Sequence, residues 1–328
     1  MKVLITGGAG FLGRRLAKKL LQKGTLKNAE GIEEKIDKLI LFDVIPALGI
    51  SDSRVSFVTG DIFDQDALNS VIDAETTSIF HLAVVVSSLA ETDFDLGMRV
   101  NFDATRMLLE TCRRLGHCPK IVFASSLAVY GGNLPEGVHD DTALNPRTSF
   151  GAQKALGEIL VSDYSRKGFI DGRALRLPTI SVRPGKPNKA ATSFSSSIIR
   201  EPLNNMETVC PVTADMHLWL LSPRQAVECL VWGHDLGAES FGINHVLNLP
   251  GVSVTVGEMV EILGKIAGQA TVRKIRWEAD PVIQRIIGGW PARWDMDRAH
   301  MLGFRGDPDF ETIVRSFIAD DLVGSAIN

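Results

Sequence analysis

The chain has 328 residues, 45% of them hydrophobic and 23% charged, with a formal net charge of −4. That length can bury a large core and allows one large or two modest domains, and the composition is that of an ordinary soluble globular protein. The negative balance gives no basic field for nucleic acid. Cys112, Cys118, Cys210 and Cys229 lack CxxC spacing, so reduced thiols in a cytoplasmic protein are expected, with no metal site.

Lys2-Val3-Leu4-Ile5-Thr6 reads as a first strand and leaves no room for a signal peptide ahead of it. It runs into Gly8-Ala9-Gly10-Phe11-Leu12-Gly13, after which Leu12, Leu16, Ala17, Leu20 and Leu21 recur at helical spacing. A glycine turn between strand and helix lets backbone N–H groups approach a pyrophosphate, so dinucleotide binding is expected rather than mere compact packing. Polar residues 24–37 read as a surface insertion. Leu39-Ile40-Leu41-Phe42 then forms a buried strand ending at Asp43, whose carboxylate suits the adenosine ribose hydroxyls and repels a 2′-phosphate, which favours NAD over NADP.

Further strands are expected at Val55–Val58, closed by Gly60-Asp61, and at Ile79–Leu82, Lys120–Ala124 and Arg173–Leu177. Helical faces are marked by Val100, Ala104, Met107, Leu108, Thr111 and Leu115, and by Ala152, Ala155, Leu156, Ile159 and Leu160. Short apolar strands alternating with helices, without hairpin signals, predict an α/β doubly wound parallel sheet, a Rossmann fold. Past residue 178, Pro178, Pro184, Pro187, Pro202, Pro211, Pro223 and Pro250 break the alternation. Residues 1–177 are therefore expected to bind the dinucleotide. Residues 178–328 are expected to form a smaller substrate lobe over the carboxyl ends of the strands, with some segments returning to the large domain. The stretch Ser240–Gly257, though free of Asp, Glu, Lys and Arg, holds a proline and three glycines and is no membrane span.

The order Thr6-Gly7-Gly8-Ala9-Gly10-Phe11-Leu12-Gly13, Asp61, His81-Leu82-Ala83, Ser125-Ser126-Leu127-Ala128-Val129-Tyr130-Gly131 and Ser149-Phe150-Gly151-Ala152-Gln153-Lys154 resembles that of the extended short-chain dehydrogenases/reductases, which include nucleotide-sugar epimerases and dehydratases. The resemblance implies hydride transfer with NAD, with Gly7, Gly10, Phe11, Leu12, Gly13, Asp43, Asp61, Ile62, Ala83, Asn101 and Lys154 at the cofactor. Val84 joins Ala83 on the nicotinamide side. Asn101 is either an N-cap or a support for the lysine, and His81 is a packed structural histidine. The family's mechanism uses a serine to polarise the substrate oxygen, a tyrosine to take its proton, and a lysine one helical turn on. Ser126 and Lys154 fill two of these catalytic positions; taken alone, Ser126 could equally satisfy backbone and Lys154 could be solvated.

Phe150 stands at the tyrosine position and supplies neither proton nor oxygen. Three accounts are open: a deliberate Tyr-to-Phe exchange that traps substrate, a natural variant with another proton acceptor, and an NAD-binding protein that no longer catalyses. Tyr130, one of two tyrosines, is expected to be structural. The stretches Asn145–Glu158, Leu175–Gly185 and Leu218–Arg224 resemble the family's sugar-acid dehydrogenases, which oxidise a four-carbon acid at its C2 hydroxyl. A small carboxylate wants an arginine fork. Arg183 is the first candidate and Arg224 a weaker one, unless Arg183 ties its loop to an acidic residue. Ser126, Thr179, Ser181, Asn188, Thr192 and Ser193 offer polar contacts for a polyol, and Trp219 reads as core. A nucleotide-sugar epimerase or dehydratase and a non-catalytic NAD sensor are the rivals. The resemblance also implies a homodimer paired through helices flanking the site.

Overall fold

The computed structural model describes residues 1–46, 49–185, 191–291 and 293–322. Seven parallel strands form the central sheet: β1 Lys2–Thr6, β2 Lys38–Asp43, β3 Val55–Thr59, β4 Thr76–His81, β5 Lys120–Ser126, β6 Asp171–Leu177 and, after β7 and β8 below, β9 Val246–Asn248. Their order is β9-β6-β5-β4-β1-β2-β3. Apolar runs such as Leu39–Phe42 fit strands covered on both faces. On one face pack α1 Phe11–Lys23 and a later helix, Pro223–Asp235; on the other pack α2 Gln65–Val71, α3 Ala104–Leu115 and α4 Ser149–Arg166. The strand order reverses between β1 and β4, the switch point at which open sheets of this type bind ligands.

A second core holds the smaller lobe. Here β7 Thr179–Ile180, β8 His217–Leu221 and β10 Val252–Thr255 form a three-stranded sheet, packed with α5 Ser193–Leu203, α7 Val256–Ala267 and α8 Phe310–Phe317; α6 is Pro223–Asp235. Within residues 178–328, α6 and β9 belong to the large sheet rather than this lobe, with Val246–Asn248 paired to Ala174–Arg176. Tyr130, Trp219 and Trp294 pack between the two cores, the two indoles stacked 5.9 Å apart. Trp219 is thus core.

Residues 24–37 lie largely on the surface, as expected, but the expectation of no hairpin and the helix-opening place of Asn101 need correction. Residues 24–37 contain a hairpin, Thr25–Lys27 against Glu33–Lys35. Its turn is closed by the Asn28 side chain, which accepts from Glu30 and Ile32 N–H, and by Gly31 at φ 77°. These local devices are invisible to apolar periodicity. Asn101 does not open a helix: the chain is helical from Phe94 through α3, and Asn101 lies in a wide π turn, Met98–Asp103.

Candidate active site

A glycine at the end of β1 is required by geometry. Gly7 has φ 70°, and a Cβ there would meet Ala83 N at 2.7 Å; at Gly13 it would lie 2.3 Å from Gly7 O. Strand, turn and helix therefore approach more closely than any side chain permits. Gly10 caps α1 with no side-chain hydrogen bond, so the cap residue leaves the first-turn amides to other acceptors. Asp43, at the end of β2, accepts from Ala9 N–H at 3.0 Å and from Ile45 N–H at 3.4 Å, which fixes its carboxylate beside the turn. These groups open one end of a 910 Å³ cleft.

The cleft runs on to Ala83, Ser126, Phe150 and Lys154. Ser126 ends β5, and its Oγ accepts from Ala128 N–H at 3.2 Å. Thr148 caps α4 through Gly151 N–H at 3.1 Å. A Cβ on Gly151 would lie 2.0 Å from Ala128 O, so the start of this helix is pressed against the serine loop. One turn apart, Phe150 and Lys154 then face the same space. Lys154 is 3% exposed, donates to Ala124 O at 2.8 Å and lies 4.5 Å from the centre of the Phe123 ring. Burial lowers its pKa to about 7, opposed by the charge of Glu158.

Glu158 is held in turn. It accepts from Ser125 Oγ and pairs with both sides of the Arg176 guanidinium, at 2.9 and 2.8 Å. Arg176 also reaches Tyr130 Oη, which donates to His139 O at 3.0 Å. Tyr130 is fully buried, does not line the cleft, and burial pushes its pKa up to about 12; it is structural. His81 is likewise a packed residue: Nδ1 lies 2.7 Å from Thr6 Oγ1 and Nε2 2.9 Å from Thr105 Oγ1. Burial, aided by the charge of Lys154, depresses its pKa to about 3.

The far wall comes from the smaller lobe: Thr179, Arg183, Thr192 and Trp290. Arg183 N–H donates to Ser196 Oγ at 3.0 Å, and its carbonyl accepts from Arg200 at 2.6 Å. The backbone is pinned at both ends while the guanidinium has no ion-pair or hydrogen-bond partner among the described residues. Burial, then the nearby Arg200 charge, lowers the Arg183 pKa to about 10. A half-buried cation in want of an anion is what a carboxylate subsite requires. Arg224 has no such freedom: on the outer surface it pairs with Asp320 at 2.6 Å, away from the cleft.

Of the residues singled out from sequence, Gly7, Gly10, Phe11, Leu12, Gly13, Asp43, Asp61, Ala83, Val84, Ser126, Phe150, Lys154, Thr179, Arg183 and Thr192 line this one cleft. Asp61 pairs with Arg99 and accepts from Phe63 N–H at 2.9 Å. Ile62 is turned into the core. Asn101 lies behind the wall, exchanging hydrogen bonds with Val85 N–H at 2.8 Å and Val85 O at 3.0 Å and donating to Gln153 Oε1 at 2.8 Å. Ser181 donates to Ser195 O at 3.0 Å and serves the loop. Ser193 begins α5 beside Thr192 without lining the cleft, and Asn188 lies outside the described residues. Arg99, Val86, Ile180 and Trp290 were not anticipated as lining residues. Trp290 follows Gly288-Gly289 in a segment without a motif, whereas Arg99 carried a signal in its place beside Asn101.

The site fits a nicotinamide dinucleotide: the turn closes without Cβ atoms, the helix start offers uncapped amides, and the cleft reaches from there to Lys154. Residues 3–216 match the NAD dependent epimerase/dehydratase family. The chain is 57% identical over 320 residues to a D-erythronate dehydrogenase of Cupriavidus necator, covering 98% of each chain. It is 46% identical to one of Haemophilus influenzae, covering 98% of this chain and all of that protein. A solved structure described as a nucleoside-diphosphate-sugar epimerase from Agrobacterium tumefaciens superposes with a TM-score of 0.92 at 41% identity, covering 99% of this chain and 95% of that one. A GalE-like L-threonine dehydrogenase from Cupriavidus necator shares the fold at 22% identity, with a TM-score of 0.85 and coverage of 98% and 99%. A glycine cradle at the switch point, the serine and lysine on one wall, and a match over most of the chain lead to one conclusion: this protein belongs to the NAD dependent epimerase/dehydratase family.

Proposed function

We propose that this chain, an NAD-dependent dehydrogenase by its family and relatives, oxidises D-erythronate or a closely similar sugar acid at C2 to the 2-oxo acid. The observation that carries the reading is the Arg183 guanidinium, without a partner among the described residues, lining the same cleft as Ser126 and Lys154. The two sugar-acid dehydrogenases at 57% and 46% identity support it. When bound, the nicotinamide supplies a hydride acceptor. Gly7, Gly10, Phe11, Leu12 and Gly13 would hold its pyrophosphate through backbone amides, with Asp61, Ala83 and Lys154 further along. Asp43 would take the ribose hydroxyls, which selects NAD.

Arg183 binds the substrate carboxylate as a fork, while Thr179 and Thr192 meet hydroxyls farther along the chain. Ser126 Oγ donates to the C2 oxygen and orients it. Phe150 packs beside that oxygen and cannot take its proton, so the present chain turns over slowly. A positioned general base contributes about 10²–10⁴-fold. A phenol there would take the proton, so Phe150→Tyr is expected to raise the rate of NADH formation from D-erythronate, by at most that factor. Absence of D-erythronate turnover in both the present chain and Phe150→Tyr, with cofactor bound, contradicts the assignment.

The Agrobacterium neighbour at 41% identity favours a second reading, reversible oxidation of a nucleotide-sugar. Incubation with UDP-sugars and analysis for an inverted stereocentre separates the two. A homodimer is part of the proposal: Leu156 and Ile159 leave apolar surface on α4 at 39% and 60% exposure.

A further inference from the structure

We propose that Lys154 is the proton acceptor of this chain, its Nζ lone pair taking the proton that a phenol at position 150 would otherwise receive. The inference rests on the dehydrogenase reading above and names the group that serves it. Among the described residues lining the cleft, the titratable ones are Asp43, Asp61, Arg99, Lys154 and Arg183. Asp43 is tied to the glycine turn and Asp61 to Arg99, while Arg183 remains a cation throughout the working range. Tyr130 and His81 are buried outside the cleft with their polar atoms engaged. Lys154 alone is left on the wall that carries Ser126.

Its surroundings allow both protonation states. An ammonium has three N–H donors, and Ala124 O is the single protein acceptor offered among the described residues. A neutral amine uses that acceptor and keeps a lone pair. The cation is favoured in turn by the Phe123 ring from β5 and by Glu158 on the same helix, itself paired to Arg176 of β6. His81, from β4, stays neutral and adds no charge. Burial sets the balance near neutrality, where a general base works best. In the step, the C2–H bond breaks and its electron pair leaves as hydride to the oxidised nicotinamide. The O–H bond breaks, its proton goes to Nζ, and its electrons form the C2=O π bond.

The test measures kcat/KM for D-erythronate and NAD against pH in the present chain, in Lys154→Arg, Lys154→Met and Glu158→Gln, and in Phe150→Tyr. The 15Nζ shift of Lys154 is followed in the cofactor-free protein. The expected profile rises tenfold per pH unit up to a midpoint near 7 and then levels, and the 15Nζ signal titrates with the same midpoint. Arginine or methionine at 154 lowers the plateau at least a hundredfold, and Glu158→Gln moves the midpoint down. A flat profile, an unchanged profile in Lys154→Arg, or an Nζ that stays charged to pH 9 overturns the inference. So does an inactive parent beside an active Phe150→Tyr, which leaves the substrate assignment standing. Inactivity of both sinks the substrate assignment, and this inference with it.

Discussion

Arg183 and Lys154 are both basic side chains drawn out of water, and the fold treats them differently. Arg183 has its backbone clamped between Ser196 and Arg200 and its guanidinium without a partner among the described residues. A charged hydrogen bond contributes about 1.5–3 kcal/mol, so Arg183→Leu should raise the KM for D-erythronate roughly ten- to a hundredfold. NAD affinity, read by calorimetry, should stay unchanged. Lys154 has its pKa lowered from 10.5 to about 7. Between those values the unfolded chain binds a proton that the folded chain does not, so this residue makes stability rise with pH across that interval. Its burial penalty is in full force below pH 7. Lys154→Met should therefore raise the melting temperature more at pH 6 than at pH 10; an equal gain at both would show that the amine is not desolvated as described.

At the scale of elements, the glycine turn and α4 teach opposite lessons about the sequence. The turn was legible because its chemistry is backbone chemistry: Gly7 and Gly13 must lack a Cβ wherever strand and helix close this tightly. Gly13→Ala, with its Cβ directed at Gly7 O, should abolish NAD binding and lower the melting temperature. Helix α4 reads from its apolar residues as though Leu156 and Ile159 faced inward. The structure buries Gln153, Lys154 and Glu158 and exposes those two instead. The inversion follows from the polar contacts of the inner face, where Lys154 donates to Ala124 O and Glu158 is held by Arg176 and Ser125. Of the two readings of Asn101, the N-cap falls for a similar reason: its side chain serves Val85 and Gln153, contacts distant in sequence, rather than a helix end. The hairpin at residues 25–35 went unseen because its turn is held by one asparagine side chain and one left-handed glycine.

At the scale of the molecule, two cores meet along one cleft, and the chain crosses between them more than once. Strand β9 and helix α6 return to the large sheet, and Arg298 ties Asp140 to the carbonyl of Val246 at 2.7 and 2.8 Å. Such stitching holds together the lobes whose Arg183, Ser126 and Lys154 line one cleft. A doubly wound parallel sheet was readable from six alternating strands and helices, and a return of later segments to it was expected; the position of the seventh strand, β9, was not, because three residues amid prolines and glycines carry no period. If the exposed face of α4 pairs two copies, Ile159→Glu should shift the sedimentation coefficient from dimer to monomer. No helix among the described residues is long and apolar enough to cross a membrane.

The most direct measurement follows an isotope rather than a rate. D-erythronate deuterated at C2 is incubated with NAD and the Phe150→Tyr protein, and the reduced cofactor is analysed by mass spectrometry. The account predicts one deuterium per NADH formed and a 2-oxo acid free of label. Deuterium retained in the acid product while cofactor is reduced, or label delivered instead from substrate deuterated at C3, would contradict it.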